Sequence, residues 1–163
     1  MKSVFLLLGV AAASLFLAGC ASHPLALAPV GPNPAITPLN SPFGFLQVFT
    51  AQDGETEGDN PTWYRHSDYE ITTMTGRRVM RVGNAAGHYS VSPRLVTLEP
   101  GRYIVKARGA DSLRVQAPVV IRRGLTTRLH LDNAWEPAAG FARADIVRDP
   151  DGNPVGWSAG SKL

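Results

Sequence analysis

The sequence predicts an all-β protein, an antiparallel β-sandwich of about seven strands. Three observations predict it. Short runs rich in β-branched and aromatic residues recur at roughly ten-residue spacing. Gly, Pro and Asp turn signals stand between these runs. No segment beyond the first 20 residues shows a convincing helical period.

The chain begins differently. Lys2 precedes an uncharged apolar run from Val4 to Leu17, and Leu17-Ala18-Gly19-Cys20 follows. This is the layout of an export signal, and the apolar run falls short of the roughly 20 residues a membrane span needs. Leu17-Ala18-Gly19-Cys20 resembles the lipobox of bacterial lipoproteins. The resemblance implies a signal peptide over residues 1–19, cut before Cys20, and lipid attachment at Cys20, with a palmitate-type acyl chain in the membrane. Two or three acyl chains on one residue satisfy the two-signal condition for stable anchoring. Ala21 and Ser22 follow the cysteine, as in lipoproteins sorted to the outer membrane. The expected location is therefore the cell envelope, on the periplasmic side of the outer membrane in a Gram-negative host. Cys20 is also the only cysteine, which excludes an intramolecular disulfide and any multi-cysteine metal site.

Residues 20–42 carry six prolines and no charge. They read as an extended Pro-rich linker, incompatible with a helix or a central strand. Fully extended it would reach about 60 Å. The rest of the chain, about 120 residues, suits one core.

Strands are expected at Phe45–Thr50, Tyr69–Thr73, Arg78–Val82 and Leu95–Leu98, with a polar loop from Asp53 to Pro61. Tyr103–Arg108 alternates, with Tyr103, Val105 and Ala107 on one face. Leu113–Val115 and Val119–Ile121 follow. In the next run Thr127, Leu129 and Leu131 face one way and Thr126, Arg128 and His130 the other, with His130 expected in solvent. Ala144–Arg148 and Pro154–Ser158 flank an Asp151-Gly152 turn and read as a C-terminal hairpin packed on the sandwich, bracketed by Trp135 and Trp157. The expected organisation is thus 43–135 sandwich and 136–163 hairpin and tail.

Val96-Thr97-Leu98-Glu99-Pro100-Gly101-Arg102-Tyr103-Ile104-Val105 resembles a hairpin of transthyretin-like and carboxypeptidase-regulatory-like domains. The closing strands through Leu131 resemble those modules as well. The resemblance implies a transthyretin/Ig-like sandwich, a structural or binding unit with varied partners.

Charge and motifs narrow the function. The net charge is +3, and Arg77, Arg78, Arg81, Arg94, Arg102, Arg122 and Arg123 are dispersed along the sequence, which argues against nucleic-acid binding. Asp53, Glu55, Glu57 and Asp59 alternate in a Gly-containing loop but lack calcium-loop spacing, so a solvated acidic loop is expected. Trp63, Tyr64, His66 and Tyr69 form an aromatic cluster that would stack on sugars if exposed and pack if buried, with packing preferred. His66-Ser67-Asp68 holds triad residue types, yet neighbours on a strand point to opposite faces. His23, His66, His88 and His130 lack metal-ligand spacing. The expectation is a non-catalytic, lipid-anchored binding or scaffolding module for an envelope protein or glycan partner, without a cofactor. A peptidoglycan or carbohydrate binder and an enzyme with an unrecognised site are the alternatives.

Overall fold

Alternation of buried and exposed residues builds the long strands. In Arg114–Ile121 the residues Val115, Ala117, Val119 and Ile121 are buried and those between them are not. A computed structural model describes residues 24–55, 63–84 and 92–160. It contains thirteen strands among these residues. They are β1 (Leu25–Ala26), β2 (Val30–Gly31), β3 (Gly44–Phe49), β4 (Gln52–Glu55), β5 (Trp63–His66), β6 (Tyr69–Thr73), β7 (Arg78–Val82), β8 (Leu95–Leu98), β9 (Gly101–Arg108), β10 (Arg114–Ile121), β11 (Thr126–His130), β12 (Ile146–Arg148) and β13 (Pro154–Ser158). The protein is all-β, as its sequence predicts, with more and shorter strands than the expected seven.

Two sheets face each other across one core. The larger runs β12-β13-β2-β10-β9-β6-β7, with β1 also paired to β10. The smaller runs β11-β3-β8, and β4 and β5 form a separate two-stranded ribbon. Val30, Ile71, Val105, Ala117, Val119 and Ile121 from the large sheet meet Leu46, Val48, Val96, Leu98 and Leu129 from the small one. Full burial of side chains this size contributes roughly 1.5–3 kcal/mol each.

Three local expectations change. First, the Pro-rich segment is partly sheet. Leu25 and Ala26 pair in parallel with Val115 and Gln116, and Val30 with Val119. On its other side β2 pairs with β13, through Gly31 to Trp157 and Val30 to Ser158. A two-residue strand therefore lies in the middle of the large sheet, where the proline spacing argued against one. The chain then crosses to the small sheet, where Pro32 bridges Thr127, and Leu39 donates its N–H to the Gly124 carbonyl at 2.8 Å. We call residues 24–42 the strap.

Second, the segment around Pro100 is a crossing, not a hairpin. β8 pairs with β3 in the small sheet, while β9 pairs with β10 and β6 in the large one. Val96 and Leu98 enter the core from one side and Val105 from the other, so the Glu99-Pro100 turn must change sheets. The Tyr103 hydroxyl ties the crossing by donating to the Glu99 carbonyl at 3.0 Å.

Third, not every connection is antiparallel. β11 runs parallel to β3, with Leu129 opposite Val48 and His130 opposite Phe49. The C-terminal hairpin does pack on the sandwich, because β13 joins the sheet through β2. Its loop is held by the Asp149 carboxylate, which accepts from the Asn153 backbone N–H at 2.8 Å and from Asn153 Nδ2 at 3.0 Å.

Candidate ligand-binding groove

β11 presents Thr126, Arg128 and His130 outward, as the sequence alternation requires. His130 is nevertheless only 8% exposed, not in solvent as expected. The parallel register sets it beside Phe49, whose ring stacks on the imidazole at 4.2 Å between centroids. From the other side Trp135 stacks on it at 4.9 Å. Trp157 of β13 meets Trp135 edge-on at 5.6 Å, and Phe141 meets Trp157 edge-on at 4.4 Å. Five rings thus run continuously from the small sheet to the C-terminal hairpin. Such offset and edge-to-face pairs contribute about 0.5–1.5 kcal/mol each beyond their burial.

Four of these rings, those of His130, Trp135, Trp157 and Phe141, line a groove of about 480 Å³. Arg128 and Thr126 of β11 line it, Ile36, Thr37 and Leu39 form a wall from the strap, and Asn33 and Glu136 complete the lining. The volume lies within the range of small-ligand sites. Ile36 and Leu39 are exposed, so that wall is apolar and open. The groove therefore combines ring faces, aliphatic surface, one cation and one carboxylate. It suits a ligand with an apolar face and hydrogen-bonding groups on its edge.

Two backbone approaches fix this shape. Gly124 has φ +70°, and a Cβ there would overlap the Leu39 carbonyl, so the turn before β11 and the strap touch directly. A Cβ on Gly156 would stand 2.5 Å from Val30 Cγ1 and 2.9 Å from the Arg128 carbonyl oxygen, so β13, beside β2 in the large sheet, packs closely against β11.

Burial holds the imidazole of His130 neutral. Desolvation lowers its pKa from 6.5 to about 4, helped by the positive potential of Arg128 and of His66. Its Nδ1 lies 4.0 Å from Asp132 Oδ1. With a neutral ring this is proximity and not an ion pair. Burial also raises the pKa of the Asp132 carboxyl, against the lowering effect of its backbone hydrogen bonds and of His66.

The residues singled out from the sequence scatter. Cys20, His23, Glu57, Asp59 and His88 lie outside the described residues, as does the side chain of Trp63. Tyr64 is 53% exposed on β5, while Tyr69 is 3% exposed in the core, so they share no stacking platform. Burial raises the Tyr69 phenol far above its ordinary value, and its hydroxyl has no hydrogen-bond partner among the described residues. His66 is buried and structural: its Nδ1 donates to the Thr50 carbonyl at 2.8 Å, leaving Nε2 to face Gln52 Nε2 at 3.4 Å. Asp68 turns away to the Asn84 N–H and to Arg81. Asp53 pairs with Arg108.

Trp135 and Trp157 were visible in the sequence as brackets of the hairpin, but periodicity gives no sign that Trp135 covers His130. The strap wall was hidden by its linker-like composition. No family model matches the chain, and no curated protein or solved structure matches it either.

Proposed function

We propose that the protein is a non-catalytic, lipid-anchored binding module of the bacterial cell envelope and that the aromatic groove holds its partner. The single observation behind the binding role is one groove lined by Trp135, Trp157 and Phe141 together with Ile36, Leu39 and Arg128. The anchor rests on Leu17-Ala18-Gly19-Cys20. Crosslinking in intact envelopes, followed by recovery of the lipidated protein, tests the role. A specific partner should be captured by the natural protein and lost with Trp135→Ala at unchanged folding. Equal capture by both removes the groove from the proposal.

A glycan ligand is the second reading, because aromatic faces beside Arg128 and Glu136 match the apolar faces and hydroxyl edges of sugar rings. It replaces Trp63, Tyr64 and Tyr69 with Trp135, Phe141 and Trp157 as the stacking residues. Binding of the folded protein to purified sacculi should fall at least tenfold in Trp135→Ala. Absence of sacculus binding by the natural protein rejects this reading.

A further inference from the structure

The outer face of the large sheet gathers charges that the sequence disperses. On β9 the residues Arg102, Lys106 and Arg108 alternate with core residues and point outward. On β10 the same alternation turns Arg114 outward, directly opposite Arg108. Glu70 lies between Arg81 and Lys106, and a bulge in β6–β7 brings Arg78 to within 3.9 Å of its carboxylate. Six cations therefore share this face with Glu70, with Asp68 3.5 Å from Arg81, and with Asp53 at the rim on Arg108. Arg108 and Arg114 lie directly opposite each other, with Asp53 paired to Arg108, and like charges so placed repel. The outward side chains of β11, by contrast, include a single cation, Arg128.

The position of the strap relates this face to the anchor. Leu25 is already paired to Val115, and Pro24 borders the same surface as Lys106, Arg108 and Arg114. Five residue steps separate Cys20 from Leu25, at most about 18 Å of extended chain. The long spacer expected from composition is thus taken up by the fold. At the same end Leu113 is 50% exposed, next to Ser112 at φ +60°.

We infer that the outer face of the large sheet lies against the anionic headgroups of the leaflet that carries the anchor, with Leu113 at the interface. This rests on lipid attachment at Cys20. The short chain confines the domain near the bilayer, and the cationic face turns toward the negative surface. The groove of the small sheet then faces away from the membrane, open to a partner.

The test uses the lipidated protein in vesicles of phosphatidylethanolamine with phosphatidylglycerol. Gln116→Cys on the outer face and Thr97→Cys on β8 each supply one free thiol for a fluorophore, since the Cys20 sulfur would be a thioether. A headgroup-level quencher should quench the label at 116 several-fold more than the label at 97. That difference should disappear in neutral phosphatidylcholine vesicles, in about 0.5 M salt, and in the Lys106→Glu, Arg114→Glu double variant, checked for native circular dichroism. Equal quenching at the two positions in anionic vesicles, with Cys20 acylated by mass spectrometry, overturns this inference and leaves the anchor reading standing. An unacylated Cys20 in protein from its native envelope overturns the anchor reading and this inference with it.

Discussion

His130 offers a prediction that separates burial from mere proximity. The ring lies between Phe49 and Trp135, and its pKa falls from 6.5 to about 4. In the unfolded chain the imidazole takes up its proton near the ordinary value; in the folded chain it does so only near the lowered one. Between the two the folded state binds fewer protons, so stability is complete above the upper value and is lost as pH falls toward the lower. Taken at its full size, the shift removes about 2 kcal/mol between about pH 7 and pH 5. His130 borders an open groove, and solvent screening brings the expected loss nearer to about 1 kcal/mol. Asp132 acts in the opposite sense. Its raised pKa means the folded state holds that proton more tightly, so acidification through the carboxylate range restores some stability. The measurement is therefore made above that range. Urea unfolding of the natural protein and of His130→Phe, which keeps a ring in the stack, should give curves whose difference grows by about 1 kcal/mol over this interval. Parallel pH dependence of the two proteins, or an NMR titration of His130 centred at its ordinary value, refutes the argument.

The remaining predictions probe the strap and the core. Gly156→Ala should cost about 1–3 kcal/mol through overpacking against Val30 and the Arg128 carbonyl, read as a lower urea midpoint. Val30→Ala should cost about 2 kcal/mol, because Val30 is fully buried; a free linker at this position would show almost none. Tyr69→Phe should leave stability unchanged or raise it by up to about 1 kcal/mol, since it removes a buried hydroxyl that no described residue satisfies. Asp149→Ala should cost about 1 kcal/mol by releasing both Asn153 hydrogen bonds, with a local increase in amide exchange across the β12–β13 loop.

Much of the sheet was legible because period-two patterning is a local signal. Thr126–His130 shows both how far that signal reaches and where it stops. Alternation assigns Arg128 and His130 to the outward face, and they are there. It carries no information about what covers that face. The cover comes from Trp135, beyond the strand, and from Phe49, some eighty positions earlier. The same limit explains Leu98 and Tyr103. Each strand is plain from its residues, but whether a Pro-Gly turn folds them into one sheet or passes between two depends on partners elsewhere. β8 finds β3, and β9 finds β10. Arg78, Arg81, Arg102, Arg108 and Arg114 share one face only because the β6–β7 and β9–β10 registers place them in rows.

The strap marks where a composition rule and its physical basis part. Proline weakens strands because it lacks an N–H and fixes φ, yet that φ is itself extended, and the proline carbonyl still accepts. A segment of isolated prolines can therefore enter a sheet if the positions that must donate are not proline. Val30 and Gly31 meet that condition between Pro29 and Pro32: Val30 pairs with Val119 on one side and Ser158 on the other, and Gly31 with Trp157. Pro29 contributes as an acceptor, taking the Ala159 N–H at 3.0 Å. Pro32 bridges Thr127 at the point where the chain changes sheets. Leu27 and Val30 then give the segment its reason to dock, since both side chains are buried in the common core. The absence of charge, which suggested a featureless spacer, is what allows the strap to lie between β10 and β13 and still supply Ile36 and Leu39 to the groove. One continuous run of chain thus reaches from β1, beside β10 in the large sheet, to the wall of the groove.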